Sequence, residues 1–184
     1  MRWAVVALVC AISVGDASAD IYGSLFRSER FKLEMLTPKD WAMSEATAYP
    51  GILVVGVHKG GGRMTLAAQT LPAGDTLKDY VERNQRALRK VGFKIGGVAA
   101  RPGGAIVVDA TAPDKKNRVR QGYLVHDGAA FVLTIAATEA TMKSFLSAFD
   151  YTLSSIVFDQ PASPARAEPA PPPPAAPDAG PTTP

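Results

Sequence analysis

Residues 119–137 read VRQGYLVHDGAAFVLTIAA, two largely apolar stretches joined by the dipeptide Asp127-Gly128. Aspartate followed by glycine suits a type I′ turn, because both central residues of that turn need a positive φ. The flanking stretches, Val119–His126 and Ala129–Ala137, carry the β-branched and aromatic residues that favour strands. The segment therefore predicts an antiparallel hairpin, and the rest of the fold can be worked out from it.

More strands are predicted on the N-terminal side of this hairpin. In Phe31–Met35, apolar and charged residues alternate with the period of a half-buried strand, which Pro38 ends. Three consecutive glycines within Lys59–Arg63 permit a tight reversal between two strand-like segments. The strand segments read from composition and turn signals are residues 31–35, 52–57, 64–71, 93–100 and 105–111.

Two amphipathic helices are predicted among these strands. Thr76 stands three residues before Asp79, as in a capping box, and Gly92 suits the position after a helix end, which predicts a helix at Leu77–Val91. Thr138 similarly caps a second helix, whose apolar stripe consists of Met142, Phe145, Leu146, Phe149, Leu153 and Ile156. Together the elements predict an α+β domain: an antiparallel sheet of about six or seven strands packed by two amphipathic helices.

The two ends of the chain differ from this central part. Residues 1–19 have a positive start, a short apolar run and the ending Ala17-Ser18-Ala19, the pattern of a secretory signal peptide cut after Ala19. A retained anchor is the alternative, although the run is shorter than the roughly 20 residues that span a bilayer. Residues 160–184 are rich in proline and alanine and predict a disordered tail. We therefore expect a leader at 1–19, one domain at 20–159 and a tail at 160–184.

The cysteine content and the net charge exclude several classes of protein. Cys10 is the only cysteine and lies in the predicted leader, so the exported domain would have no disulfide, no catalytic thiolate and no cysteine-bound metal. Lipidation of Cys10 is a weaker alternative, since Val9 stands where a lipoprotein has a small residue. The net charge of +3 favours anionic partners but falls short of a nucleic-acid-binding composition. Export predicts a periplasmic or secreted protein.

Few residues suggest an enzyme. His58 and His126 each stand beside a predicted turn without metal-ligand spacing, so we expect both to be exposed and expect no metal site. The Gly-x-Ser-x-Gly motif of serine hydrolases is absent from the sequence. Asp109 interrupts an apolar run, which is explained if its side chain is on the solvent-facing side of an antiparallel strand. We predict a non-enzymatic protein without a cofactor. The alternative is a hydrolase with a cryptic site that gathers Asp109, His58 or His126.

Two basic features are candidates for partner binding. Lys59 and Arg63 flank the three glycines, whose backbone amides could meet an anion, although a plain hairpin tip is the simpler interpretation. The polar side of the first helix is also basic, and it either faces water or attracts anionic lipid, lipopolysaccharide or an acidic protein. Its candidate residues are Arg83, Arg86, Arg89 and Lys90. A small-ligand carrier with a cleft between sheet and helix is a further alternative.

Residues 31–41, FKLEMLTPKDW, resemble the start of the PsbP-like and DcrB-like domains, a superfamily that includes the yeast Mog protein. The predicted order of elements over residues 28–158 is similar as well. The resemblance implies α/β/α layering around an antiparallel sheet and a binding or scaffolding role without catalysis. Phe31, Pro38 and Trp41 match as structural positions only, so no site residue follows. We expect an exported accessory or binding domain of the cell envelope that contacts a macromolecule or an anionic envelope component.

Overall fold

The computed structural model describes residues 19–22, 24–46 and 48–159. The predicted tail and all of the predicted leader except Ala19 lie outside these residues. Within them the chain forms two α-helices, α1 (Leu77–Lys90) and α2 (Glu139–Ser154), neither long and apolar enough to cross a membrane. The strands described are β1 (Ala19–Tyr22), β2 (Leu25–Ser28), β3 (Leu33–Leu36), β4 (Trp41–Glu45), β5 (Ile52–His58), β6 (Arg63–Thr70), β7 (Lys94–Ala100), β8 (Ile106–Thr111), β9 (Asn117–His126), β10 (Ala129–Thr138) and β11 (Val157–Phe158).

Seven of these strands form one antiparallel sheet in the order β4-β5-β6-β10-β9-β8-β7. The hairpin of β9 and β10 lies inside it and is paired from Thr138 opposite Asn117 to Ala129 opposite His126. Its turn residues Asp127 and Gly128 have φ values of +45° and +69°, as a type I′ turn requires. The predicted hairpin and the predicted antiparallel α+β fold are confirmed.

A second, smaller sheet contains the strands β1-β2-β3-β11 in that order. The sequence patterns did not predict this sheet, and they placed a strand at Phe31–Met35. The strand β3 instead begins at Leu33, because Glu29–Lys32 form a turn in which the Lys32 amide donates to the Glu29 carbonyl at 3.2 Å. The alternation itself was interpreted correctly, since Leu33 and Met35 are both fully buried.

One helix packs on each face of the seven-stranded sheet. The helix α2 and the small sheet cover one face, where Phe149 packs with Phe131 and Leu133 of β10. The helix α1 covers the other face, where Tyr80 packs with Val132 of β10. Successive residues of β10 enter different cores because side chains alternate along a strand. The result is the α/β/α layering that the family resemblance implies.

The helix boundaries follow local capping chemistry. At the start of α1, Thr76 Oγ1 accepts from the Asp79 amide at 3.3 Å and the Asp79 carboxylate accepts from the Thr76 amide at 2.9 Å, so both halves of the capping box are present. Gly92 follows the helix with φ +89°. The second helix begins after Thr138, as predicted, but Ile156 lies beyond its end and packs on the core from there.

Candidate functional site

The residues on which a cryptic enzyme site would depend lie apart in the sheet. His58 is on β5 and Asp109 on β8, with β6, β10 and β9 between them, a distance of about 19 Å at the usual strand spacing. His126 ends β9, six residues beyond Arg120, the partner of Asp109, which corresponds to about 20 Å along the strand. The fold therefore does not bring these three side chains together.

Asp109 is held by a cross-strand ion pair. Its carboxylate accepts from Arg120 Nε at 2.7 Å and from Arg120 Nη2 at 3.0 Å, a bidentate arrangement between β8 and β9. These hydrogen bonds raise the pKa of Arg120, whose guanidinium also lies 5.9 Å from the ring centre of Phe149. The pair ties two neighbouring strands together at the edge of the α2 core, so Asp109 has a structural partner.

His58 is half-buried, contrary to the expectation that it is exposed. Its ring centre lies 5.5 Å from that of Trp41 and 5.1 Å from that of Phe145. Its Nδ1 accepts a hydrogen bond from the Gly60 amide at 2.9 Å. The imidazole is therefore part of an aromatic cluster beneath its own hairpin turn, with one of its nitrogens already occupied.

The glycine turn between β5 and β6 packs on the same aromatic cluster. A Cβ atom on Gly62 would lie 2.9 Å from Trp41 Cη2 and 3.0 Å from Phe145 Cε2, closer than carbon atoms normally approach. The amides of Gly60 and Gly61 both donate to His58, at 2.9 Å each. Two of the three glycine amides thus serve the hairpin itself, and what the turn presents outward is the charge of its flanking lysine and arginine.

The predicted basic residues of α1 have different surroundings. Arg83 forms an ion pair with Asp75, and its guanidinium lies 5.4 Å from the ring centre of Tyr80. Arg86 and Arg89 are exposed and contact polar side chains one helical turn earlier on α1. Of these three arginines, Arg83 is thus the most engaged within the molecule and the least available to a partner.

One end of the seven-stranded sheet collects basic side chains from separate parts of the chain. The antiparallel register puts the β5–β6 turn, the start of β7 and the β8–β9 turn at this end, and the short link after α1 brings the end of that helix there too. Exposed basic side chains that form no ion pair among the described residues cluster at this end. This surface, called the basic end below, consists of Lys59, Arg63, Lys90, Lys94, Lys115 and Lys116.

Two of the three acidic residues near the basic end are engaged within the molecule. The Asp114 carboxylate accepts from the Lys116 amide at 2.9 Å, a hydrogen bond that lowers the pKa of Asp114. Glu139 forms an ion pair with Arg118, and the hydrogen bonds of that pair lower the pKa of Glu139. The third is Asp40, which is exposed in the turn before β4. Six basic side chains thus exceed the acidic charge near them.

Three of the predicted partner-binding residues, Lys59, Arg63 and Lys90, belong to the basic end. Lys115 and Lys116 lie in the turn between β8 and β9, and no sequence pattern singled them out. These two lysines could have been found from the alternation of turns: in an antiparallel meander, every second turn lies at the same end of the sheet. Applying that rule needs the strand order, which the sequence patterns did not provide.

The opposite end of the sheet holds a histidine beside two carboxylates. His126 Nε2 lies 2.9 Å from Asp159 Oδ2 and 3.6 Å from Asp127 Oδ2. The imidazole stacks on the ring of Phe158 with 4.4 Å between the ring centres and 14° between the planes. The side chain of His126 is 25% exposed, so the expectation of an exposed histidine is wrong here as well. Among the described residues these three side chains form a group that could hold a metal ion, their ligand atoms lying within 4.8 Å of one another.

Comparisons with known proteins bear on the fold. No model of a known protein family matches the chain, and no curated protein matches it in sequence. The solution structure of cyanobacterial PsbP (CyanoP) from Synechocystis sp. PCC 6803 superimposes with a TM-score of 0.60 and 17% identity, covering 83% of this chain and 99% of that one. LpqN, involved in cell envelope biogenesis of Mycobacterium tuberculosis, superimposes with a TM-score of 0.52 and 16% identity, covering 68% of this chain and 82% of its own.

At these identities the likeness concerns the fold. Both the order of elements and the layering on either side of the sheet agree with the resemblance that residues 31–41 suggested. The chain shares its fold with cyanobacterial PsbP and with LpqN.

Proposed function

We propose that this protein is an exported, non-enzymatic accessory domain of the cell envelope that binds an anionic envelope component through its basic end. The observation that carries the proposal is the meeting of six exposed basic side chains, without ion pairs among the described residues, at one end of the sheet. They come from the β5–β6 hairpin, the end of α1, the start of β7 and the β8–β9 turn.

The electrostatics of such a surface favour an extended anionic partner. Each lysine or arginine near an anionic lipid surface contributes about 1 kcal/mol of attraction. Cations that already have an internal partner, such as Arg83 with Asp75, contribute less to an external one. The attraction of the basic end falls with added salt, because the screening length shrinks from about 10 Å at 0.1 M to about 3 Å at 1 M ionic strength.

The placement of the other polar residues supports a role without catalysis. Asp109 is engaged by Arg120, and His58 is packed between Trp41 and Phe145. A general base and its partner need to lie within hydrogen-bond reach of each other, and these residues stand on strands far apart in the sheet. The proposal therefore assigns them to stability.

Export and an envelope location rest on two separate supports. The first is the pattern of residues 1–19, which is that of a secretory leader with a cleavage position after Ala19. The second is a precedent: LpqN, which has the same fold, is involved in cell envelope biogenesis. A periplasmic or secreted domain with a basic end would meet anionic envelope surfaces directly.

Vesicle binding tests the proposal. The purified protein is mixed with vesicles of neutral lipid or of neutral lipid containing anionic lipid, and the bound fraction is measured by sedimentation at low and high salt. We expect saturable binding to the anionic vesicles alone, weakened by salt. The variant Lys59→Glu, Arg63→Glu, Lys94→Glu should bind more than about 100-fold less tightly, since three favourable charges of about 1 kcal/mol each are lost and three repulsive charges are added.

A matched control separates the basic end from net charge. The variant Arg30→Glu, Lys78→Glu, Arg101→Glu changes the net charge equally, but its residues lie toward the opposite end of the sheet: Arg30 in the turn before β3, Lys78 in the first turn of α1 and Arg101 just after β7. It should bind within about a factor of three of the unaltered protein, because charges beyond a screening length act weakly. Equal losses in both variants, or full binding by the first, would contradict the assignment of the basic end. Binding to isolated envelope protein but to no vesicle would replace the lipid surface by a protein partner.

A further inference from the structure

We propose that His126, Asp127 and Asp159 form a binding site for a divalent transition-metal ion, with zinc as the ion that suits the donors best. The metal would fasten the short strand β11 to the turn between β9 and β10. The site lies at the end of the sheet opposite the basic end, so this proposal does not rest on the proposed function.

The donor set matches the coordination preferences of zinc. One imidazole nitrogen and two carboxylate oxygens are offered, from residues that also ligate zinc in known sites. The Nε2 atom lies 2.9 Å and 3.6 Å from the two carboxylate oxygens. Two ligand atoms of one tetrahedral zinc ion, with bonds of about 2.0–2.2 Å, stand about 3.3 Å apart. The two observed distances lie on either side of that value, and all three ligand atoms lie within 4.8 Å of one another, so rotation of the carboxylate side chains would close the site.

The histidine is held in place, and its Nε2 atom faces the carboxylates. Stacking on Phe158 fixes the plane of the imidazole, and Phe158 itself packs on Phe131 with 5.0 Å between the ring centres. The Nε2 atom is shielded from solvent and lies 2.9 Å from Asp159 Oδ2. A cation bound between this nitrogen and the carboxylate would take both atoms as ligands.

The carboxylates come from two parts of the chain that the metal would join. Asp127 belongs to the β9–β10 turn of the large sheet, and Asp159 directly follows β11 of the small sheet. The strand β11 has only two residues, paired with Glu34 and Leu33, and the Asp159 amide donates to the Lys32 carbonyl at 2.9 Å. A bridge at this point adds a link where the strand pairing is shortest. Asp127 is 80% exposed, which leaves room for water to complete the coordination.

Because the three ligands meet only in the folded chain, the metal should bind the folded state and stabilise it. At a free zinc concentration of about 100 times Kd, the melting temperature of a domain of this size should rise by roughly 8–12 °C. His126→Gln and Asp159→Asn should each abolish most of this rise. The matched control is His58→Gln, which alters the other histidine of the chain and should keep the full zinc-dependent rise above its own metal-free value.

Imidazole NMR gives a second readout that does not depend on stability. The chain contains two histidines, so two sets of ring signals are expected. The full chain with Cys10→Ala, which removes its only thiol, is freed of metal with a chelator and titrated with zinc alone. The His126 signals should shift and those of His58 should stay. Unchanged signals for both histidines, shifts of His58 alone, or a zinc-dependent melting rise that persists in His126→Gln would each overturn the proposal.

Discussion

Replacing Gly122 by alanine should destabilise the domain more than replacing any exposed strand glycine does. Gly122 is buried on β9, directly beneath α2. A Cβ atom there would lie 2.7 Å and 2.9 Å from the two methyl carbons of Leu153 and 3.1 Å from Cζ of Phe149. Carbon atoms in ordinary contact stand 3.4–4 Å apart. The helix or its side chains must therefore move outward by several tenths of an ångström.

The size of the effect follows from two opposing contributions. Forcing an extra methyl group into a packed core costs about 1–3 kcal/mol of unfolding free energy. Removing the backbone freedom of a strand glycine returns about 0.5–1 kcal/mol. The net loss should be about 1–2 kcal/mol, which lowers the melting temperature by roughly 3–8 °C for a domain of this size.

Urea unfolding followed by circular dichroism measures this loss, and Gly97→Ala is the matched control. Gly97 also lies in a strand of the large sheet, but it is exposed, and the nearest atom to its added Cβ would be Asp109 Oδ2 at 3.8 Å. The control should be neutral or slightly stabilising. In the Gly122→Ala background, Leu153→Val should show a favourable coupling of about 0.5–1 kcal/mol. Equal stability of the two alanine variants would refute the packing argument.

Two further predictions concern pH. Burial raises the pKa of Tyr123, so the phenol of the unfolded chain loses its proton at lower pH than that of the folded chain. The contribution of Tyr123 to stability is therefore complete below about pH 10 and falls as the pH rises further. The urea midpoint should fall less steeply between pH 9 and 11 in Tyr123→Phe than in the unaltered protein, and an equal slope would contradict the assignment. The Thr76 hydroxyl, by its hydrogen bond, lowers the pKa of Asp79, so the capping box stabilises α1 above about pH 4 and loses this effect as the pH falls further. Thr76→Ala should therefore melt a few degrees lower at pH 7, and the gap should narrow in acid without closing, because the bond from the Asp79 amide to Thr76 Oγ1 is lost at every pH. A gap that is constant with pH would exclude the carboxylate as a cause.

Features with a local cause could be predicted from the sequence. The turn at Asp127-Gly128 and the cap at Thr76 depend on residues that are neighbours in the chain, and both were predicted at the positions observed. The amphipathic stripes placed the helices correctly for the same reason, since a helix presents residues three and four apart on one face.

Features that depend on distant pairing could not be predicted in this way. The strand β11 has two residues and exists because Val157 pairs with Glu34 and Phe158 with Leu33, from the other end of the domain. No periodicity can show in two residues. The approach of Asp159 to His126 depends on that pairing, so in the sequence alone His126 is an isolated residue beside a turn. The basic end likewise required the strand order.

The antiparallel register gives the molecule two unlike ends, separated by the ten residues of β9, or about 30 Å. The basic end is one of them, while Asp159, from which the chain continues to residue 160, lies at the other. A domain resting on a surface by its basic end would therefore stand upright on it. Its C-terminal segment would be attached on the far side, where a tether or a second protein could reach it without competing for the surface.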